Sequence, residues 1–257
     1  MLKIEHLTKI YDNGFKALND VSLEIPDGQF VAIIGLSGSG KSTLLRCINR
    51  LVDPTEGRIT WNGLDITAAN DEDLRLIRRR IGMIFQQFNL VKRSTVMTNV
   101  LSGRLGYTNT LYSLINHFPA KDREAALANL ERVGIRDQAK KRASALSGGQ
   151  QQRVGIARAL MQNPELMLAD EPVASLDPAT SHSVMKYLEV LNKEDGITVL
   201  CSLHFLSLAR TYASRVIALK DGVLRFDGLP AEIDEARFRE IYGEDAVEVQ
   251  IPQVDRR

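Results

Sequence analysis

The residues with the plainest chemical signature are Gly35, Leu36, Ser37, Gly38, Ser39, Gly40, Lys41, Ser42 and Thr43, which follow directly on the apolar run Phe30, Val31, Ala32, Ile33, Ile34. Glycines at 35, 38 and 40 let the backbone turn tightly with its N–H groups pointing inward, and a helix opening at Lys41 aims its N-terminus at the same anion. This is a cradle for a polyphosphate. Lys41 reaches the terminal phosphates and Ser42 supplies the hydroxyl that a magnesium ion needs. A glycine-rich turn with an incidental lysine is the competing explanation, and the G-x-x-x-x-G-K-[ST] spacing between a strand and a helix disfavours it.

A second constellation is Leu166, Met167, Leu168, Ala169, Asp170, Glu171, a buried strand ending in adjacent carboxylates. Strand side chains alternate, so the two acids point differently and can do different jobs. Asp170 is placed to hold magnesium, directly or through water, and Glu171 to orient or deprotonate an attacking water. An acid pair that caps the next element before Pro172 is the alternative. The third constellation is Leu146, Ser147, Gly148, Gly149, Gln150. Ser147 can cap a helix, and the two glycines leave backbone N–H groups unobstructed, so this is either a second anion-facing helix start or a plain capped helix.

The positioning elements can be read from periodicity. Residues 2–11 and 17–25 alternate apolar and polar around Asp12, Asn13 and Gly14; with a short strand over 58–61 they predict a small antiparallel sheet. Strands over 29–34, 81–85, 166–169 and 197–203 alternate with helices over 41–51, 71–80, 151–162 and 179–192, which predicts a doubly wound parallel α/β sheet. Residues 215–219 and 223–226 predict an edge hairpin across Asp221 and Gly222, followed by a short C-terminal helix. Between Phe88 and Gln150 the pattern is helical with loops, including a helix over 120–133. The expected organisation is one domain over 1–257: a core of 1–87 and 151–230, a helical insertion at 88–150 and a tail at 231–257.

Composition narrows the classes. With 257 residues, 44% of them hydrophobic and 25% charged, the chain can bury a large core, and a net charge of +1 gives no global field for nucleic acid. Nucleic acid is therefore not an expected partner. Cys47 and Cys201 lack metal or C-x-x-C spacing and are expected to be buried, as in a reducing cytosol. Charges in the first five residues and the absence of a long apolar run predict neither a secretory leader nor a membrane span. His6, His117 and His182 share no ligand spacing.

Taken in order, these motifs resemble the ATP-binding cassette (ABC) ATPases of membrane transporters from about Leu2 to Gly228. Gly35 to Ser42 is similar to the family's Walker A loop, Leu146 to Gln150 to its signature, Leu166 to Asp170 to Walker B, and Glu171 to its catalytic glutamate. The resemblance further implies that Gln86 senses magnesium and the membrane subunits, that His204 contacts the γ-phosphate, and that Tyr11 stacks on adenine. Ser175, Leu176 and Asp177 match the loop that crosses a dimer interface. By themselves Gln86 reads as a polar strand end, His204 as a core histidine, and Tyr11 equally as strand packing. The resemblance implies the P-loop ATPase fold, with ATP and Mg2+ as cofactors. It also implies a head-to-tail dimer in which Ser147, Gly148, Gly149, Gln150 and Asp177 complete the site of the other copy. Permease subunits would dock near Gln86 at the cytoplasmic membrane face and act with a periplasmic substrate-binding protein.

The run from Phe85 to Gly106 resembles more narrowly the ATPases of phosphonate importers, a branch that includes phosphite and hypophosphite uptake systems. Phe205, Leu206 and Ser207 depart from that branch, where Gln-Val-Asp is commoner. Tyr107 to Phe118, with Tyr112, is expected to be core of the helical insertion rather than a docking patch. Three alternatives stay open: an ATPase serving another transported substrate, a soluble cassette of DNA repair or translation, and a nucleotide-binding module that hydrolyses nothing.

Overall fold

A computed structural model of the chain describes residues 1–108, 118–244 and 248–249. Strands β1 (Leu2–Ile10) and β2 (Lys16–Ile25) are antiparallel, and β1 also pairs with β4 (Glu56–Trp61), which turns into β5 (Leu64–Asp65). The result is a four-stranded sheet of order β2-β1-β4-β5. Strand β3 (Phe30–Ile34) leads through the phosphate loop into α1 (Lys41–Ile48), and α2 (Asp71–Arg79) leads into β6 (Ile81–Ile84). With β7 (Leu166–Ala169), β8 (Thr198–Ser202), β9 (Arg215–Lys220) and β10 (Val223–Gly228), these strands form a six-stranded sheet of order β10-β9-β3-β8-β7-β6. Its pairs from β9 to β6 are parallel; β10 is the antiparallel edge. The doubly wound sheet and the separate antiparallel sheet both agree with the expected fold class.

Burial on both faces explains why β3 reads as a continuous apolar run. Phe30, Ala32 and Ile34 enter the core shared with the helices, while Val31 and Ile33 enter the core shared with the antiparallel sheet. On the first face lie α3 (Val96–Leu101), α4 (Ala120–Arg132), α5 (Gly148–Leu160) and α6 (Pro178–Asp195). Thr95 caps α3, and Asn99 ties its first turn to the carbonyls of Val91 and Thr95.

Several boundaries differ from the sequence expectation for identifiable reasons. Helix α5 starts at Gly148, three residues early, because Ser147 caps it; α6 starts at Pro178, which suits a first helical turn, and is capped by Asp177. Helix α7 (Leu206–Tyr212) was not anticipated, being too short to show a period. The last helix, α8, spans Glu235–Tyr242. Phe118 is buried in the core as expected, but Tyr107 is exposed and lies between the guanidinium groups of Arg79 and Arg104, and Tyr112 lies outside the described residues. Cys47 and Cys201 are both buried and unpaired. Among the described residues no helix is long and apolar enough to cross a membrane.

Candidate functional site

Four neighbouring parallel strands deliver the chemistry at their C-terminal ends: β3 the phosphate loop, β8 His204, β7 Asp170 and Glu171, and β6 Gln86. Open α/β sheets collect ligands at this edge. Gly35 is demanded there twice over. It has a φ of 140°, and a Cβ at this position would lie 2.1 Å from the Leu219 carbonyl oxygen of β9. The loop is thus pressed against the neighbouring strand, and only the smallest residue fits.

Helix α1 opens without a side-chain cap and with no acid in its first turn, so its N-terminal amides remain free for an anion. Lys41 is buried and folds back, its Nζ donating to the carbonyls of Gly35 and Leu36, at 2.9 Å each. Burial lowers its pKa, while the nearby carboxylates of Glu171 and Asp170 oppose that shift. A cation already held inside the loop needs little rearrangement to meet a phosphate. Ser42 Oγ donates to Asp170 Oδ1 at 2.6 Å, and Arg46 reaches Asp170 Oδ2 at 3.2 Å. Hydroxyl and carboxylate oxygens side by side suit a hard cation such as Mg2+. No group of three or more His, Cys, Asp or Glu side chains able to hold a metal occurs among the described residues, so such an ion would draw its remaining ligands from phosphate and water.

Glu171 has a φ of 48°, an uncommon conformation for a non-glycine residue. Its amide donates to the fully buried Ser202 Oγ at 2.8 Å, and that hydroxyl also lies 3.2 Å from Asp170 Oδ1. Thus held, the Glu171 carboxylate meets His204 Nε2 at 2.7 Å. Tyr11 lies at the edge of the same region, its hydroxyl 3.3 Å from Thr43 Oγ1 and its ring under the ammonium of Lys9.

The signature residues sit apart. Ser147 Oγ accepts from the Gln150 amide and Gln150 Oε1 accepts from the Ser147 amide, a capping box that uses both polar side chains locally. Gly148 and Gly149 form the first turn of α5, where a Cβ on Gly149 would strike Thr180 Cγ2 at 2.3 Å. Asp177 accepts from the Thr180 amide as the cap of α6, and the bond with Thr180 holds its carboxyl below the usual range. Among the described residues no hydrogen bond joins 147–150 to 35–43. Gln86 is exposed and lines a groove with Gln87, Phe88, Asn89, Leu90, Lys92, Gln151 and Ser175. The two constellations are thus served by different parts of the fold.

Sequence reasoning missed three supporting residues. Arg46 stands one helical turn beyond Ser42, a spacing that could have flagged it. Ser202 is the one polar interruption near the end of an apolar strand, a faint signal. Arg158 of α5 donates to the carbonyls of Asn89 (2.6 Å) and Phe88 (2.8 Å), two residues with positive φ that follow Gln86, and nothing in the sequence points to that contact.

Known proteins share this fold. The family model for ABC transporters matches residues 18–174. The phosphonates import ATP-binding protein PhnC of Bdellovibrio bacteriovorus is 56% identical over 250 residues, covering 97% of this chain and 96% of that one. Its namesake from Shouchella clausii is 56% identical over 243 residues, covering 95% and 91%. Among solved structures, a dimeric ATP-binding cassette in a post-hydrolysis state bound to ADP and Pi has a TM-score of 0.80 at 39% identity, covering 90% of this chain and 99% of that one. A nucleotide-free cassette from an ABC transporter has a TM-score of 0.79 at 30% identity, with 94% of each chain covered. The chain belongs to the ABC transporter family and has the fold of its ATP-binding cassettes.

Proposed function

We propose that this chain is the ATP-hydrolysing subunit of a phosphonate importer. The carrying observation for hydrolysis is the Glu171–His204 contact at 2.7 Å, between the end of β7 and the end of β8, the strand next to the one that bears the phosphate loop, and beside the Ser42–Asp170 pair. The transported class follows from relatives at 52–56% identity that are named for phosphonate import.

The geometry supports the following roles. The polyphosphate of ATP lies against the free amides of α1, and Lys41 exchanges the carbonyls of Gly35 and Leu36 for terminal phosphate oxygens. Tyr11 offers its ring to the adenine. Ser42 and Asp170, with Gln86 from the neighbouring strand end, would hold a magnesium ion, which supplies neutralising charge to the phosphate oxygens. Glu171 orients a water in line with the γ-phosphorus and holds its proton as the new P–O bond forms and the bond to the bridging oxygen breaks. His204 fixes the Glu171 carboxylate and faces the γ-phosphate.

Ser147 to Gln150 and Asp177 would act on the site of a second copy placed head to tail. Their side chains bond locally, and among the described residues no hydrogen bond joins them to this chain's own phosphate loop, which favours that reading; the solved cassette bound to ADP and Pi is a dimer. The exposed stretch around Gln86, Gln87, Asn89, Val91 and Lys92 would receive the membrane-spanning subunits, which place the chain at the cytoplasmic face and link it to a periplasmic substrate-binding protein. Phosphite is a further substrate to be tested beside phosphonates.

Glu171→Gln tests the central role. It should bind ATP and accumulate a closed dimer, while steady-state phosphate release falls by about 10²-fold or more. An undiminished rate would refute the role of Glu171.

A further inference from the structure

Helix α8 lies beyond the sequence motifs and beyond residues 18–174, yet it touches the site. Asp234 caps it by accepting from the Arg237 amide, and Phe238 and Ile241 anchor it in the core. Lys220, at the end of β9, donates to the Glu240 carbonyl at 2.5 Å. The preceding residue, Leu219, carries the carbonyl against which Gly35 is pressed. Helix and phosphate loop are therefore fastened to the same strand end.

Tyr242, in the last turn, is partly buried and packs on Phe238 with ring centroids 4.7 Å apart. Its hydroxyl donates to the His204 carbonyl at 3.4 Å. Burial raises the Tyr242 pKa, so the phenol keeps its proton. The phenol is thus a donor to the backbone of the histidine that grips Glu171. A histidine side chain can hold a carboxylate in one place only if its own backbone is fixed, and β8 ends at Ser202, two residues earlier.

We propose that Tyr242 is a positioning residue for ATP hydrolysis: its hydroxyl ties the His204 backbone to helix α8, itself fastened through Lys220 to the strand end against which Gly35 is pressed, and so keeps the His204–Glu171 pair in register with the phosphate loop. This rests on the ATPase reading above. The C-terminal helix then serves as a brace for the catalytic edge.

The test uses the full chain assembled with its membrane-spanning subunits, with wild type measured in parallel so that failure of the ATPase reading shows as absent wild-type turnover. Tyr242→Phe deletes only the hydroxyl. The expected result is a fall in kcat of about three- to tenfold, the rate equivalent of one neutral hydrogen bond, with KM for ATP unchanged and the melting temperature lowered by no more than about 2–4 °C. In a His204→Ala background the same change should have no further effect, because both act through one group. Phe238→Leu, which loosens the helix but keeps the hydroxyl, should lower the melting temperature and spare kcat. Wild-type kcat in Tyr242→Phe, a full additive loss in the His204→Ala background, or an equal loss of kcat in Phe238→Leu would each overturn the proposal.

Discussion

Ser202→Ala tests how the strained glutamate is held. Ser202 is fully buried, and its Oγ accepts the Glu171 amide at 2.8 Å while lying 3.2 Å from Asp170 Oδ1. Glu171 occupies the left-handed region, which costs about 1–2 kcal/mol for a non-glycine residue. Removing the hydroxyl leaves two outcomes. If Glu171 keeps its conformation, a buried amide goes unsatisfied, at about 1–3 kcal/mol. If instead it relaxes, part of the strain is recovered, but the carboxylate leaves the 2.7 Å contact with His204. In the first case stability falls by roughly 1 kcal/mol or more, a drop of about 2–4 °C in melting temperature for a chain of this size, and in the second the loss appears in turnover. A displacement of about 1 Å at the attacking water costs up to 10²-fold in rate, so kcat should fall at least about tenfold. Nucleotide affinity should hold, since Ser202 makes no hydrogen bond to the phosphate loop. Thermal melts, binding of a fluorescent ATP analogue and phosphate release measure the three quantities. An alanine variant with wild-type melting temperature and kcat would show that the Ser202 bond does not hold Glu171.

Further outcomes follow from other contacts. Arg158→Ala removes two charge-assisted bonds, each worth about 1.5–3 kcal/mol, from the carbonyls of Phe88 and Asn89. It should uncouple the loop after Gln86, so that substrate taken up per ATP hydrolysed in proteoliposomes drops severalfold; an unchanged ratio would refute this. Arg158→Lys should rescue little, because an ammonium cannot span both carbonyls as the planar fork does. Burial pushes the Cys47 thiol up to about 12 and raises Cys201 further, so almost no thiolate exists at pH 8 in the folded chain. Thiol reagents should therefore modify both only in denaturant, as a timed mass measurement would show; fast labelling of the native chain would contradict the burial.

Much of the fold was legible because its signals are local. The alternation in 2–10, the unbroken apolar run of β3 and the Asp-Gly turn before β10 each reflect one element and its immediate solvent exposure. The phosphate loop was legible for the same reason, since glycine spacing, lysine and serine act within nine residues. Two turns are too few for helix α7 to show a period, and α5 begins at its Ser147 cap, a site the sequence shows, although the poor helix propensity of Gly148 and Gly149 predicts a start at 151. The aromatic character of Tyr107 predicts a core residue, yet it is exposed, with two guanidinium groups against its ring and its hydroxyl donating to the Arg79 and Gln162 carbonyls.

By itself the sequence determined which residue types stand at which spacing: a glycine-rich loop ending in Lys41 and Ser42, an acid pair at a strand end, a capped glycine pair and their order along the chain. Their company was decided only by tertiary structure. The pairing of β3 with β8 and of β8 with β7 brings Lys41, Asp170, Glu171 and His204 to one edge from positions far apart in sequence. That same packing places Ser202 under Glu171 and Tyr242 against His204 and leaves Ser147 to Gln150 bonded among themselves. These partnerships depend on strand order and on which carbonyl a buried side chain can reach, and neither is written in any local run of residues.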